Sequence, residues 1–175
     1  HVGLIAAGCY TLTADGLNGA VYQMIAHGFV IVGLFFAAEV IFRRFETRKI
    51  KELGGIRSQA SGFTSMFMIL VLASVALPGT YNFIGEFTVL YSLSQVNLWY
   101  ALIGGTTIIL GAYYMLKMFQ NVMLGETNTK VFKDVNVSEA IVFVAIIGFL
   151  LFFGLYPKPI NDLVNPAIKE ILAVI

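Results

Sequence analysis

Glu86 is the costliest residue of this chain to place: it lies inside a long apolar stretch, eight residues after Pro78-Gly79 interrupts that stretch. A carboxylate at bilayer depth beside an interrupted helix is expensive, and such groups are usually retained for ion or proton traffic. Burial disfavours the charged carboxylate and a nearby cation restores it, so a group held between the two can load and release a proton as its neighbours change charge. The break at Pro78 and Gly79 adds freed backbone groups and the end dipoles of two half-helices. The alternative is a protonated, hydrogen-bonded glutamate with a structural role.

His27 lies mid-span in Gln23-Met24-Ile25-Ala26-His27-Gly28. An imidazole, which titrates near pH 6.5 (an approximate unperturbed value), suits a proton relay, and Gln23 at i−4 is positioned to pair with it. A neutral histidine packed between helices is the competing reading. His1 is the third titratable group of this set, and two histidines at one depth could instead bracket a haem. Lys117 falls near a membrane interface, where snorkelling competes with a part in proton uptake. Glu39 and Arg43, at i and i+4, form an ordinary helix-end pair. Asp15, Glu126, Asp134 and Glu139 fall in loops or at helix starts and receive no chemistry. Tyr81, Trp99 and Tyr100 are expected in aromatic belts at the interfaces.

The elements that position these groups are transmembrane helices. The chain is 58% apolar, 12% charged and carries a net charge of +1, with a mean hydropathy of +0.84. A soluble domain of 175 residues cannot bury that much apolar surface. The apolar runs reach the roughly 20 residues a spanning helix needs and lack the alternation of a membrane β-barrel. The fold class is therefore all-α, a polytopic transmembrane helix bundle. Helices are expected over about 1–12 (partial), 17–42, 63–94 (broken at Pro78-Gly79), 98–124 and 137–156, followed by a short amphipathic tail to Ile175. They form one transmembrane domain. The chain opens at His1 inside an apolar run, and is read as the C-terminal part of a longer subunit. Cys9 is the single cysteine, so no internal disulfide or iron–sulfur cluster is expected, and neither a metal site nor a nucleic-acid partner is indicated.

Orientation follows from six Lys/Arg between Arg43 and Arg57, with Lys117, Lys130 and Lys133 around the loop after the fourth segment, against none in the turns at 13–16 and 95–97. The positive-inside rule makes the basic loops cytoplasmic, or matrix or stromal in an organelle. His1 and His27 then lie about 12 and 11 residues from the first outer turn, and Glu86 about 10 from the second. At about 1.5 Å per residue, all three fall roughly 15–18 Å below the outer face, near the midplane.

Several segments carry a family resemblance. They are Gln23-Met24-Ile25-Ala26-His27-Gly28, Arg43, Thr47-Arg48, Leu53-Gly54-Gly55, the run from Leu77-Pro78-Gly79 through Gly85-Glu86-Phe87, and Gly154-Leu155-Tyr156-Pro157. In that order and spacing they resemble the antiporter-like membrane subunits of proton-pumping NADH–quinone oxidoreductase, respiratory complex I. Within that family the likeness is to the chain M branch, whose mitochondrial counterpart is NADH dehydrogenase subunit 4. Mrp cation/proton antiporters resemble the same family and generally have Lys where this chain has Glu86. The resemblance implies two inverted repeats, each with a broken helix. Glu86 is then the proton carrier of the second repeat, and His27 and His1 belong to a central hydrophilic axis. It implies other membrane-arm subunits and the lipid bilayer as partners. The look of the loops points to the inner (plasma) membrane of a bacterium ahead of an organellar inner membrane. NADH, FMN, iron–sulfur clusters and quinone are expected in other subunits, with no cofactor and no redox chemistry in this chain. An Mrp-type antiporter, a hydrogenase membrane-arm subunit and a non-transporting membrane scaffold are the alternatives.

Overall fold

The computed structural model describes residues 1–126 and 131–174, with side chains through 173. Lys130 and Ile175, which entered the expected basic loop and tail, lie outside the described residues. Among the described residues there are eight α-helices and no strand. Helix α1 covers Val2–Tyr10. A turn at 11–13 leads into α2, Ala14–Phe45, whose first turn is capped by Thr13 Oγ1 accepting from Gly16 N at 3.1 Å. Arg43 and Arg44 stand in its last turn, where cations complement the helix dipole. At 32 residues α2 is about 48 Å long, well over the ~30 Å hydrocarbon thickness, so it tilts or projects at its basic end.

The segment after α2 contains a 3₁₀ turn at Ile50–Glu52 and the one-turn helix α3, Ile56–Gln59. Helix α4, Ser61–Ser74, and helix α5, Tyr81–Val96, form the broken span. The sequence places the break at Pro78, whereas α4 stops four residues earlier. The reason is a Schellman-type ending: Leu77 N donates to Leu72 O at 3.1 Å and Ala76 N to Ala73 O at 3.2 Å. Ala76 takes the left-handed position with φ +55°. Pro78 and Gly79 then occupy the centre of a second turn, closed by Thr80 N to Leu77 O at 3.0 Å. Gly79 has φ +94°, the sign a type II turn requires at that position.

Helix α6 covers Leu98–Met123, α7 covers Val137–Leu155 and α8 covers Lys158–Val174. By length and composition α2, α6 and α7 are each able to cross a membrane. Helix α7 opens with a capping box between Asn136 and Glu139. The tail is the amphipathic helix α8, and its Ile160 and Val164 pack against Tyr22, Ala26 and Tyr81. Helix α6 buries only its last turns, through Phe119, Val122 and Met123, and leaves Ile103, Ile109 and Leu110 on an apolar outer face.

The main core lies at the basic end, where Phe63, Phe67, Leu70, Phe119, Phe132 and Phe143 interlock. A clasp closes that end. Arg44 Nη2 pairs with Glu139 Oε2 at 2.7 Å and also donates to Asp134 O at 3.2 Å. Asp134 accepts from Gly62 N at 2.9 Å and Phe63 N at 2.8 Å, so a distant loop caps α4 in place of Ala60, whose side chain has no acceptor. Asp134 and Glu139 are thus structural partners, a role their loop and helix-start positions did not reveal because both acquire it from helices remote in sequence.

Candidate functional site: a buried carboxylate, two histidines and a glutamine

The site forms where α5 crosses α2 beside the first turn of α1. Close approach of α2 and α5 is needed to bring their polar groups together, and Gly85 permits it. A Cβ built on Gly85 would lie 2.7 Å from Gln23 N and 2.8 Å from Gln23 Cα. With that contact made, Gln23 on α2 and Glu86 on α5 meet, both fully buried at 0% and 2% exposure.

Glu86 Oε1 lies 2.6 Å from His1 Nδ1 and accepts from Gln23 Nε2 at 2.9 Å. Gln23 Nε2 is also 3.3 Å from His1 Nδ1. The His1 and His27 rings follow at a centroid distance of 5.0 Å and a 41° tilt. The expected common depth of His1, His27 and Glu86 is therefore an actual juxtaposition: a row running Glu86–His1–His27. At this separation the two rings leave no space for a macrocycle between them, so the residues do not fit a bis-histidine haem.

Glu86 Oε2, Gln23 Oε1 and His27 Nδ1 are buried without a hydrogen-bond partner among the described residues. Buried polar atoms rarely go unsatisfied, so this cluster is energetically costly to hold.

Three expectations change here. Gln23 does not pair with His27: its amide donates to Glu86 on α5 and lies beside His1, while the His27 ring meets the ring of His1 at the start of α1. Sequence reading assigned Gln23 only that intrahelical role, and its contact across 63 residues had no local signal. Lys117 does not join the row; its Nζ lies 3.4 Å from Tyr113 OH on the same exposed helix face. Tyr81 is not at an interface but 0% exposed, because the break starts α5 inside the bundle. There its ring meets Tyr22, Phe149 and Phe153. Trp99 and Tyr100 are exposed at the start of α6, and Glu39 pairs with Arg43 at 2.9 Å.

Comparisons with known proteins agree with this architecture. The profile of the family described as NADH:quinone oxidoreductase/Mrp antiporter, TM, matches residues 1–111. NADH-quinone oxidoreductase subunit M of Rhodobacter capsulatus is 34% identical over 98% of this chain and 34% of its own length. That of Mycobacterium tuberculosis is 35% identical over 100% of this chain and 32% of its own. The chain thus spans about a third of the curated relatives it matches. A chain of respiratory complex I from Thermus thermophilus with bound NADH superposes with a TM-score of 0.91 at 29% identity, over 98% of this chain and 36% of that one. A chain of the Mrp complex from Dietzia sp. superposes at 0.86 with 17% identity, over 95% and 40% respectively, a likeness of fold. With its all-α multi-pass architecture and its broken fourth and fifth helices, the chain belongs to the NADH:quinone oxidoreductase/Mrp antiporter family of membrane proteins.

Proposed function

We propose that this chain is part of a proton-translocating subunit of an NADH–quinone oxidoreductase, coupling distant electron transfer to proton movement. The observation that carries this reading is the 2.6 Å contact between buried Glu86 and His1, with His27 next in line. Adjacent titratable groups in a membrane interior couple electrostatically. At an effective dielectric of about 20, two unit charges 8 Å apart interact by about 2 kcal/mol, enough to change a proton's occupancy. A charge arriving at His27 is felt at His1 and then at Glu86. The step at the end of the row transfers a proton from His1 Nδ1–H to the Glu86 carboxylate, leaving a neutral imidazole and a carboxylic acid. Gln23 holds Oε1 in place through the exchange.

Relatives named as subunit M and the superposition on complex I support this reading over the antiporter, hydrogenase and scaffold alternatives. Glu86 supports it too, since the Mrp branch generally carries Lys there. In this reading electron transfer and its cofactors belong to partner subunits of the membrane and peripheral arms. The basic end faces the cytoplasm of a bacterium, and Lys117 lies outside the proton row.

The test is Glu86→Gln in the assembled complex, measured as NADH–quinone turnover and proton pumping in membrane vesicles. Both are expected to fall together, by tenfold or more (about 1.4 kcal/mol or above). Normal turnover with normal pumping would overturn the proposal.

A further inference from the structure

The row engages one oxygen of Glu86. Oε1 meets both His1 and Gln23, and Oε2 is buried with no partner among the described residues. One turn earlier on the same helix stands a second polar side chain in that condition. Asn82 is 0% exposed, and both Oδ1 and Nδ2 of its amide are buried without a partner among the described residues. Buried amides are nearly always hydrogen-bonded, so a wholly idle one requires an explanation.

Helix capping does not supply one. Asparagine at a helix start ordinarily caps the first turn, but Asn82 lies inside α5, behind the N-cap Thr80, and its side chain makes no cap bond. Helix geometry links it to Glu86 instead. Residues four apart are neighbours on a helix surface, with about 5–6 Å between Cβ atoms. Cα–Cβ bonds tilt toward the helix N-terminus, so Glu86 leans back over Asn82. Both belong to the buried stripe of α5 that continues through Val89 and Leu93. The outer torsion of asparagine is broad and soft, so the amide can turn without moving the backbone.

Resting on the proton-carrier reading of Glu86, we propose that Asn82 is a positioning residue for its carboxyl group, the amide engaging Oε2 as the row changes charge. The two orphaned groups are complementary. An ionised carboxylate only accepts, and Asn82 Nδ2 has two hydrogens to give. A protonated Oε2 has one hydrogen to give, and Asn82 Oδ1 accepts it. A half-turn of one amide therefore serves either form. Asn82 moves no proton itself. It ties Oε2 to α5 while Oε1 exchanges with His1, and so keeps the carboxyl group in register with the imidazole.

Asn82→Leu keeps the approximate volume and removes both polar atoms, whereas Asn82→Ser keeps a donor and an acceptor on a shorter stem. Both are compared with the parent and with Glu86→Gln in assembled complex, by proton pumping and by the infrared carboxyl band that disappears in Glu86→Gln. Asn82→Leu is expected to lose pumping by about fivefold or more and to displace the band. Asn82→Ser should keep more of the pumping and displace the band less. If Glu86→Gln is defective while both Asn82 variants pump normally with an unmoved band, the role of Asn82 is overturned and the carrier reading stands. Equal losses in the two Asn82 variants with an unmoved band would make Asn82 a packing residue and overturn it as well. Should Asn82→Leu fail to assemble, an unmoved band in Asn82→Ser overturns the proposal by itself. Normal pumping in Glu86→Gln overturns the carrier reading, and the role of Asn82 falls with it.

Discussion

Among the residues, Gln23 does more than its type advertises. It is fully buried, and its amide nitrogen meets both members of the Glu86–His1 pair. A hydrogen bond to a charged acceptor contributes about 1.5–3 kcal/mol, and the isolated carboxylate would be costlier still to hold in the bilayer. Gln23 is thus a positioning residue: it moves no proton and keeps Oε1 directed at His1. Gln23→Leu keeps the volume and removes the donor. Pumping and turnover are expected to fall about tenfold, the equivalent of about 1.4 kcal/mol, in a complex that assembles normally. Gln23→Asn should restore only part of the loss, because the shorter amide falls short of Oε1. Vesicle assays on the two variants check this, and full activity in Gln23→Leu would show that His1 alone orients the carboxylate.

At the scale of elements, the site depends on how closely α5 lies against α2. Apolar surface gives no net drive for helices to associate within lipid, so close packing over small residues supplies it. Gly85 is the tightest such point next to the site. In Gly85→Ala the new Cβ meets the Gln23 backbone, which cannot swing aside as a side chain would. The helices must separate, at about 1–3 kcal/mol for an overpacked interface. Separation also lengthens the Gln23–Glu86 contact, so the expected outcome is lower thermal stability in detergent together with reduced pumping. Loss of stability with full pumping would separate the interface from the site. The break acts at the same scale. Ala76 and Gly79 both adopt positive φ, so the reversal is built into backbone conformation and not left to Pro78 alone.

For the whole molecule, the basic end adds charge pairing and capping to its apolar core. Asp134 is where the two meet. Its partial burial would raise its pKa, but hydrogen bonds from the Phe63, Val135 and Gly62 N–H groups and the nearby Arg44 guanidinium hold it below the ordinary aspartate value. A carboxyl whose folded pKa is depressed contributes stability above its unfolded pKa, and the contribution is lost as pH falls through the folded value. The clasp is therefore expected to persist through mildly acidic pH and to loosen only below the ordinary aspartate range. Asp134→Ala removes the cap of α4 at a cost of about 1 kcal/mol at neutral pH. Thermal unfolding in detergent from neutral to strongly acidic pH checks both points: parent and variant should converge at the acid end, and a constant gap would deny the carboxylate its part.

The sequence by itself determined the all-α membrane class and set His1, His27 and Glu86 at one expected level. Length and hydropathy constrain helices in a bilayer directly, and a rise of about 1.5 Å per residue converts sequence distance into depth. His1, His27 and Glu86 were legible as one level for that reason. Lateral position was not. Whether Gln23 turns to His27 or to Glu86, whether Asp134 caps a helix 72 residues away, and whether Tyr81 meets lipid or Phe149 depend on which helix faces are pressed together. That is decided by small residues and side-chain fit between elements distant in the chain, and periodicity along one helix does not encode it. Only the tertiary structure could join His1, His27 and Glu86 into a contiguous row.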